Sequence, residues 1–138
     1  MLTQVKRYRL RSMSSAHCLV EIHLQDNTVS QTILRSYSTD VIMLDLEYRE
    51  IYCTGTYSQS TRKQIGRFVR EFTATQNYYT MKELAESLIN YKFLNDEDYD
   101  KAVDTAWSYI NNETELTCKA YQKYIEQCKK ASAYSYYW

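Results

Sequence analysis

The chain has no proline and only two glycines, Gly55 and Gly66. That scarcity argues against long flexible linkers and rules out a glycine-rich phosphate loop. None of the four cysteines, Cys18, Cys53, Cys118 and Cys128, forms a Cys-x-x-Cys pair. Free thiols in a reducing, cytoplasmic setting are therefore expected. No apolar run approaches the roughly 18–20 residues of a membrane span, so no membrane partner is expected. Residues 1–20 are basic and free of acids. They faintly resemble a transit peptide, but strand-like residues follow directly, and a targeting role is not expected. Net charge is absent too: 17 basic residues balance 17 acidic ones, so no whole-protein pull on nucleic acid is expected.

Tyrosine is abundant, with 15 residues in a chain of 138. Its ring suits cores, interfaces and base stacking alike, so the excess does not choose among them. The charge is also unevenly spread. Residues 1–72 hold 10 Lys and Arg against 7 Asp and Glu, and residues 73–138 hold 7 against 10. All eight arginines lie in the first range. Arginine is the better fork for phosphates, carboxylates and aromatic faces, so a charge-reading surface is expected in that half.

LVEIHLQ (19–25) alternates, with Val20, Ile22 and Leu24 on one face of a half-buried strand. Asp26-Asn27 reads as a tight turn. TVSQTILR (28–35) is strand-like, and VIMLDL (41–46) is apolar on both faces, as in a central strand. Tyr48-Arg49 is placed in a turn. IYCTGTY (51–57) is a further strand, with Gly55 at a bulge or close approach. VKRYRLR (5–11) suits an edge strand protected by its charges.

The period then changes. In YSQSTRKQIGRFVREF (57–72), Ile65, Phe68, Val69 and Phe72 fall at i, i+3, i+4 and i+7, the apolar stripe of a helix. Lys63, Arg67 and Arg70 fall almost opposite, at about 100° per residue. Ser58 is the expected N-cap, bonding near Thr61. Thr80-x-x-Glu83 is a capping-box signature followed by MKELAESLINYKF. Asn95 with Asp96, Glu97 and Asp98 marks another helix start. Tyr99, Ala102, Val103, Ala106, Trp107 and Ile110 form its expected buried face, and Asn111-Asn112 its break. Leu116, Ala120, Tyr124, Ile125 and Cys128 continue an apolar stripe to about residue 131. The tail ASAYSYYW is expected to dock on the body or on a partner, and it is compatible with a homodimer.

The expected class is α+β. An antiparallel sheet of three to five strands is followed by an amphipathic helix, then a part with two or three helices. The sheet and basic helix occupy 1–72, and a helical lobe packed on them occupies 73–138.

Two segments, LRSYSTDV (34–41) and YSQSTRKQI (57–65), resemble an uncharacterised family of small proteins encoded by phages, plasmids and other mobile elements of Gram-positive bacteria. Its pattern is Ser-Tyr-x-Thr-x-Val, then roughly 20 residues later Tyr/Trp-Ser-x-Thr-Thr-x-x-His-Ile opening a helix. Ser36, Tyr37, Thr39 and Val41 carry the first segment here. Tyr57, Ser58, Ser60, Thr61, Arg62, Lys63 and Ile65 carry the second. Ser60 and Gln64 depart from it, where the pattern has Thr and His. The likeness spans about residues 16–72. It implies a mobile-element origin and a cytoplasmic setting, and implies no established activity.

His17 and His23 are six apart, beyond usual zinc spacing, and His23 reads as a solvent-facing strand residue, so no metal or cofactor is expected. His17 and Cys18 are adjacent and, on a strand, point to opposite faces, so they do not make a nucleophile and base. A tyrosine recombinase or relaxase wants histidine companions that this chain lacks. Asp96, Glu97, Asp98 and Asp100 lack the glycine of a calcium loop, and a helix start explains them. No enzyme is expected.

The remaining candidates are the basic residues Arg62, Lys63, Arg67 and Arg70, with Arg7, Arg9 and Arg11. They fit a non-enzymatic protein that binds a partner macromolecule, with Tyr37, Tyr57, Ser58 and Thr61 shaping the strand-to-helix junction. The favoured partner is a host protein, and one form of the reading is an anti-CRISPR-like inhibitor of a defence nuclease. The alternative is a nucleic-acid-binding accessory or regulatory protein, with Tyr8 and Tyr37 stacking on bases. The plain reading of the stripe is a solvated helix face.

Overall fold

A computed structural model describes residues 2–13, 18–37, 39–53, 58–74 and 90–135. Five strands come first: β1 (Thr3–Arg9), β2 (Cys18–Gln25), β3 (Thr28–Ser36), β4 (Thr39–Asp45) and β5 (Glu50–Cys53). Then follow α1 (Gln59–Phe72), a short β6 (Asn90–Phe93), α2 (Asp96–Asn112) and α3 (Cys118–Ser135). All neighbouring strands pair antiparallel in the order β1-β2-β3-β4-β5-β6. The fold is a small α+β fold, an antiparallel sheet with helices packed on it.

β6 is the departure from the expected plan. Residues Asn90–Phe93 sat at the end of an expected helix, yet they pair with β5 through Glu50↔Phe93 and Tyr52↔Tyr91. The capping box at Thr80, the rest of that helix, Gly55 and the last three residues of the tail lie outside the described residues.

The turns show why the sheet forms where it does. Asp26 and Asn27 both take positive φ, 51° and 64°. Such a two-residue turn matches the right-handed twist of the strands it joins, and Asp and Asn tolerate the left-handed region best after glycine. Asp26 also clasps the chain start, accepting from the Leu2 N–H at 2.9 Å while its own N–H reaches the Leu2 carbonyl. Replacing Asn27 by Val should cost about 1–2 kcal/mol, because a β-branched residue is forced into that region. Chemical denaturation of the single variant checks it. The β4–β5 turn is held by Asp45, whose Oδ1 accepts the N–H groups of Glu47 and Tyr48 at 3.0 and 3.1 Å.

One sheet face carries the main core. The register aligns Tyr8, Val20, Leu34 and Ile42 across four strands. The α1 stripe Ile65, Phe68, Val69 and Phe72 packs there, with Ala102, Ala106 and Tyr109 of α2. The two alanines let α2 lie close to its neighbours. Tyr109, rather than Ile110, is its fully buried large side chain, and Tyr99, Val103, Trp107 and Ile110 are only half-buried. So the buried face is rotated from the expected one. Residues of both halves of the chain share this core.

The opposite face is covered at its β1–β2 end by α3. Tyr124 and Cys128 pack on Leu19, supported by Leu116, Tyr121 and Ile125. β2 is consequently buried on both faces, not half-buried, and Glu21 is only 6% exposed. His23 is half-buried rather than solvent-facing, with its Nε2 enclosed. No helix among the described residues is long and apolar enough to cross a membrane.

Candidate partner-binding surface

The site is built outward from α1. Ser58 caps the helix, its Oγ accepting from the Thr61 N–H at 3.3 Å. That cap orients a first turn that has no acidic residue to complement the helix dipole. From there the apolar stripe turns inward, and Lys63 and Arg70 stand exposed, with Arg62 and Arg67 half-buried beside them. Arg67 bonds the Ser12 carbonyl at 3.1 Å, so it also ties α1 to the loop after β1.

The carboxyl end of α1 is fixed by its neighbours. The last carbonyls of a helix lack partners within it. Here Val69 O accepts from the N–H and the hydroxyl of Thr73, at 2.8 and 2.7 Å. Arg70 O accepts from Lys101 Nζ at 2.8 Å, and Glu71 O from the Thr105 hydroxyl at 2.9 Å. The Lys101 charge also suits the negative end of the dipole. Beside it, the Glu71 carboxylate accepts from the Tyr109 hydroxyl at 2.6 Å, and from the Ser12 N–H and hydroxyl. The Tyr109 hydroxyl in turn accepts the Arg11 N–H at 2.9 Å. Burial and the Glu71 contact push the Tyr109 phenol well above its ordinary range.

Arg11 completes this corner. Its guanidinium lies 4.2 Å over the Tyr109 ring, pairs with Glu113 at 2.9 Å and reaches Ser108 Oγ at 3.3 Å. An open groove results between α1 and α2, with a volume of about 510 Å³. Arg11 and Arg70 line it together, although 58 positions separate them in the chain. Lys101, Thr105 and Ser108 form the α2 wall. Sequence reasoning missed these three. Their i, i+4, i+7 spacing marks one polar stripe of a helix and was the available signal.

Arg7 and Arg9 do not join this surface. Strand alternation turns both away from Tyr8, whose ring packs with Tyr109 in the main core. Arg7 pairs with Glu21 at 2.7 Å and lies 4.1 Å over the Tyr121 ring of α3. Arg9 is exposed on that other side. Tyr37 is exposed at the β3–β4 turn with φ 55°, and its carbonyl accepts the Tyr124 hydroxyl, which anchors α3. Tyr57 lies outside the described residues.

The buried thiols carry a separate signal. Burial pushes Cys18 up to about 12, with the Glu71 carboxylate adding to it, and pushes Cys53 up to about 11. Both are therefore held as neutral thiols, which are poor nucleophiles. Their folded-state values exceed the ordinary 9.0, so the stabilisation is full below pH 9 and is lost as pH rises toward 11–12. Each thiol should lower stability by about 1.4 kcal/mol per pH unit within its window. Urea midpoints measured from pH 8 to 10.5 should fall, and Cys18→Ala should flatten the slope. A pH-independent midpoint would refute this account.

Comparison with protein-family models, curated proteins and solved structures finds no match to this chain. The fold and surface define a small α+β protein with a basic helical face.

Proposed function

We propose that this protein is a non-enzymatic binding module that docks a partner macromolecule through the basic face of α1. One contrast carries the reading. Arg7, Arg11, Arg35 and Arg49 are each paired with a carboxylate of the fold. Arg62, Lys63 and Arg70 have no ion pair among the described residues, and Lys63 and Arg70 are exposed. Among the described residues no carboxylate pairs with these charges, whereas arginine is enriched where interfaces concentrate their binding energy.

The likeness to small mobile-element proteins supports a host protein as the partner, in the bacterial cytoplasm. Inhibition of a defence nuclease, in the manner of anti-CRISPR proteins, is the form that the likeness to small mobile-element proteins suggests. Nucleic-acid binding is the second reading, favoured by the arginine content of the same face. Affinity purification of the tagged protein, with and without nuclease, tests the proposal. Retention of one host protein after nuclease treatment is the expected result. Loss of all bound material on nuclease treatment would overturn it in favour of nucleic acid.

A further inference from the structure

We infer that the outer edge of β1 pairs with the same edge of a second copy of this chain, so that two sheets join into one across a twofold axis at Gln4. This contact is separate from the α1 face and does not depend on its role.

The ladder determines which backbone groups are open. In an antiparallel pair, alternate residues direct both backbone groups to the neighbouring strand, and the others direct theirs away. The Leu2 carbonyl accepts from the Asp26 N–H at 2.8 Å, and the Leu10 N–H donates to the Cys18 carbonyl at 3.4 Å, so the even residues of β1 face β2. Thr3, Val5, Arg7 and Arg9 therefore turn their N–H and C=O groups outward. The Arg7 carbonyl is taken: it accepts the Leu116 N–H at 2.8 Å, where the connection between α2 and α3 crosses the edge. Lys6 pairs with Glu115 at the same crossing. Thr3 and Val5 carry no such bond among the described residues.

An open strand edge is a template for another strand, and charged side chains are a usual protection. The charges of β1, on Lys6, Arg7 and Arg9, stand at the crossing and beyond it. Leu2, Thr3, Gln4 and Val5 are uncharged, and the first three are exposed, Leu2 by 58%. The open stretch is thus also the unprotected one.

These groups select a twofold register, and with it a second copy. Setting Val5 against Val5 places Thr3 opposite Arg7, whose carbonyl Leu116 already holds. Setting Thr3 against Thr3 places Val5 beyond the end of the facing β1. Setting Thr3 against Val5 uses both open residues of each copy and makes no demand on Arg7. Each such pair exchanges two backbone bonds and occurs twice. The same patch then serves both sides, which is the commonest way that oligomers close. Gln4 faces Gln4 at the axis, and exposed Leu2 meets the aliphatic stem of Lys6. The axis runs perpendicular to the sheet, so α1 of each copy lies on the same side. A partner that spans both basic faces is held at two points, which raises avidity without a new kind of contact.

Sedimentation velocity tests this, at concentrations up to about 1 mM because so small an interface associates weakly. A reversible monomer–dimer equilibrium is expected. Gln4→Lys sets like charges face to face and should weaken it about tenfold or more. Val5→Pro removes an outward N–H while sparing the bonds to β2, as proline is tolerated on the free side of an edge strand, and should weaken it likewise. Gln127→Lys, exposed on α3, should leave it unchanged. In a Cys118→Ala background, Gln4→Cys should form a disulfide-linked dimer in air, since facing Cα atoms at such a position lie about 4.5 Å apart, within disulfide reach. Circular dichroism melts confirm that the variants fold. A monomer throughout the range, a dimer that Gln4→Lys leaves intact, or failure of Gln4→Cys to cross-link would each overturn the inference.

Discussion

Phe72→Ala is expected to lower the free energy of unfolding by about 3–5 kcal/mol, a large part of the roughly 5–15 kcal/mol that a domain possesses. The ring is fully buried at the end of α1. It stacks on Phe68 with centroids 4.6 Å apart and on Tyr109 at 5.5 Å. Such pairs add to the loss of buried area. The cavity left behind has little means of collapse, because Tyr109 is held by Glu71 and by the Arg11 N–H. Urea denaturation gives the number, with Tyr48→Ala as the control. Tyr48 is 66% exposed, and its truncation should stay within about 0.5 kcal/mol. A cost below 1 kcal/mol at Phe72 would mean that the α1–α2 seam is not the centre of the core.

The second large effect is on binding. Reversing Lys63, Arg67 and Arg70 together to Glu should weaken partner binding by about 100-fold or more. Like charges set against an interface cost several kcal/mol, and each 1.4 kcal/mol is tenfold. The fold should lose only about 1 kcal/mol, because among the described residues the side-chain bond removed is that from Arg67 to the Ser12 carbonyl. Isothermal titration with the purified partner measures the first quantity and a thermal melt the second. Unchanged affinity in a folded variant would refute the basic-face reading.

The legible parts of the fold are those in which local pattern and tertiary packing agree. Val20, Ile22 and Leu24 alternate and are buried together. Ser58 and the Ile65–Phe72 stripe mark α1 to within a residue. β6 was not legible, because its register is supplied by β5, a partner some 40 positions away in sequence, and pairing of that kind leaves little local trace. The rotated face of α2 has a different cause. A scale based on hydrophobicity ranks Tyr109 below Ile110, yet the phenol is admitted to the core because Glu71 and Arg11 satisfy its hydroxyl. Similarly, α3 covers the second sheet face because Leu19 offers an apolar foothold there, a position that alternation alone assigns to the polar side.

The candidate surface divides along the same line. The basic stripe of α1 was visible as a helical pattern, and its lack of acidic partners among the described residues only became visible in three dimensions. Arg7, Arg9 and Arg11 looked equivalent in sequence, but alternation sends the first two behind the sheet, and only Arg11, beyond the strand end, reaches the groove.

The neighbour-by-neighbour strand order carries a consequence for synthesis. Each of β2 to β5 can pair with the strand made just before it, so these five strands can assemble as they leave the ribosome. The apolar face of these five strands, though, is laid down by Cys53, whereas its second covering helix ends at Asn112. At about 5–20 residues per second, that face stays partly bare for about 3–12 s. A nascent chain stalled in this interval presents a flat greasy sheet, the kind of surface that chaperones hold, and the finished protein hides it.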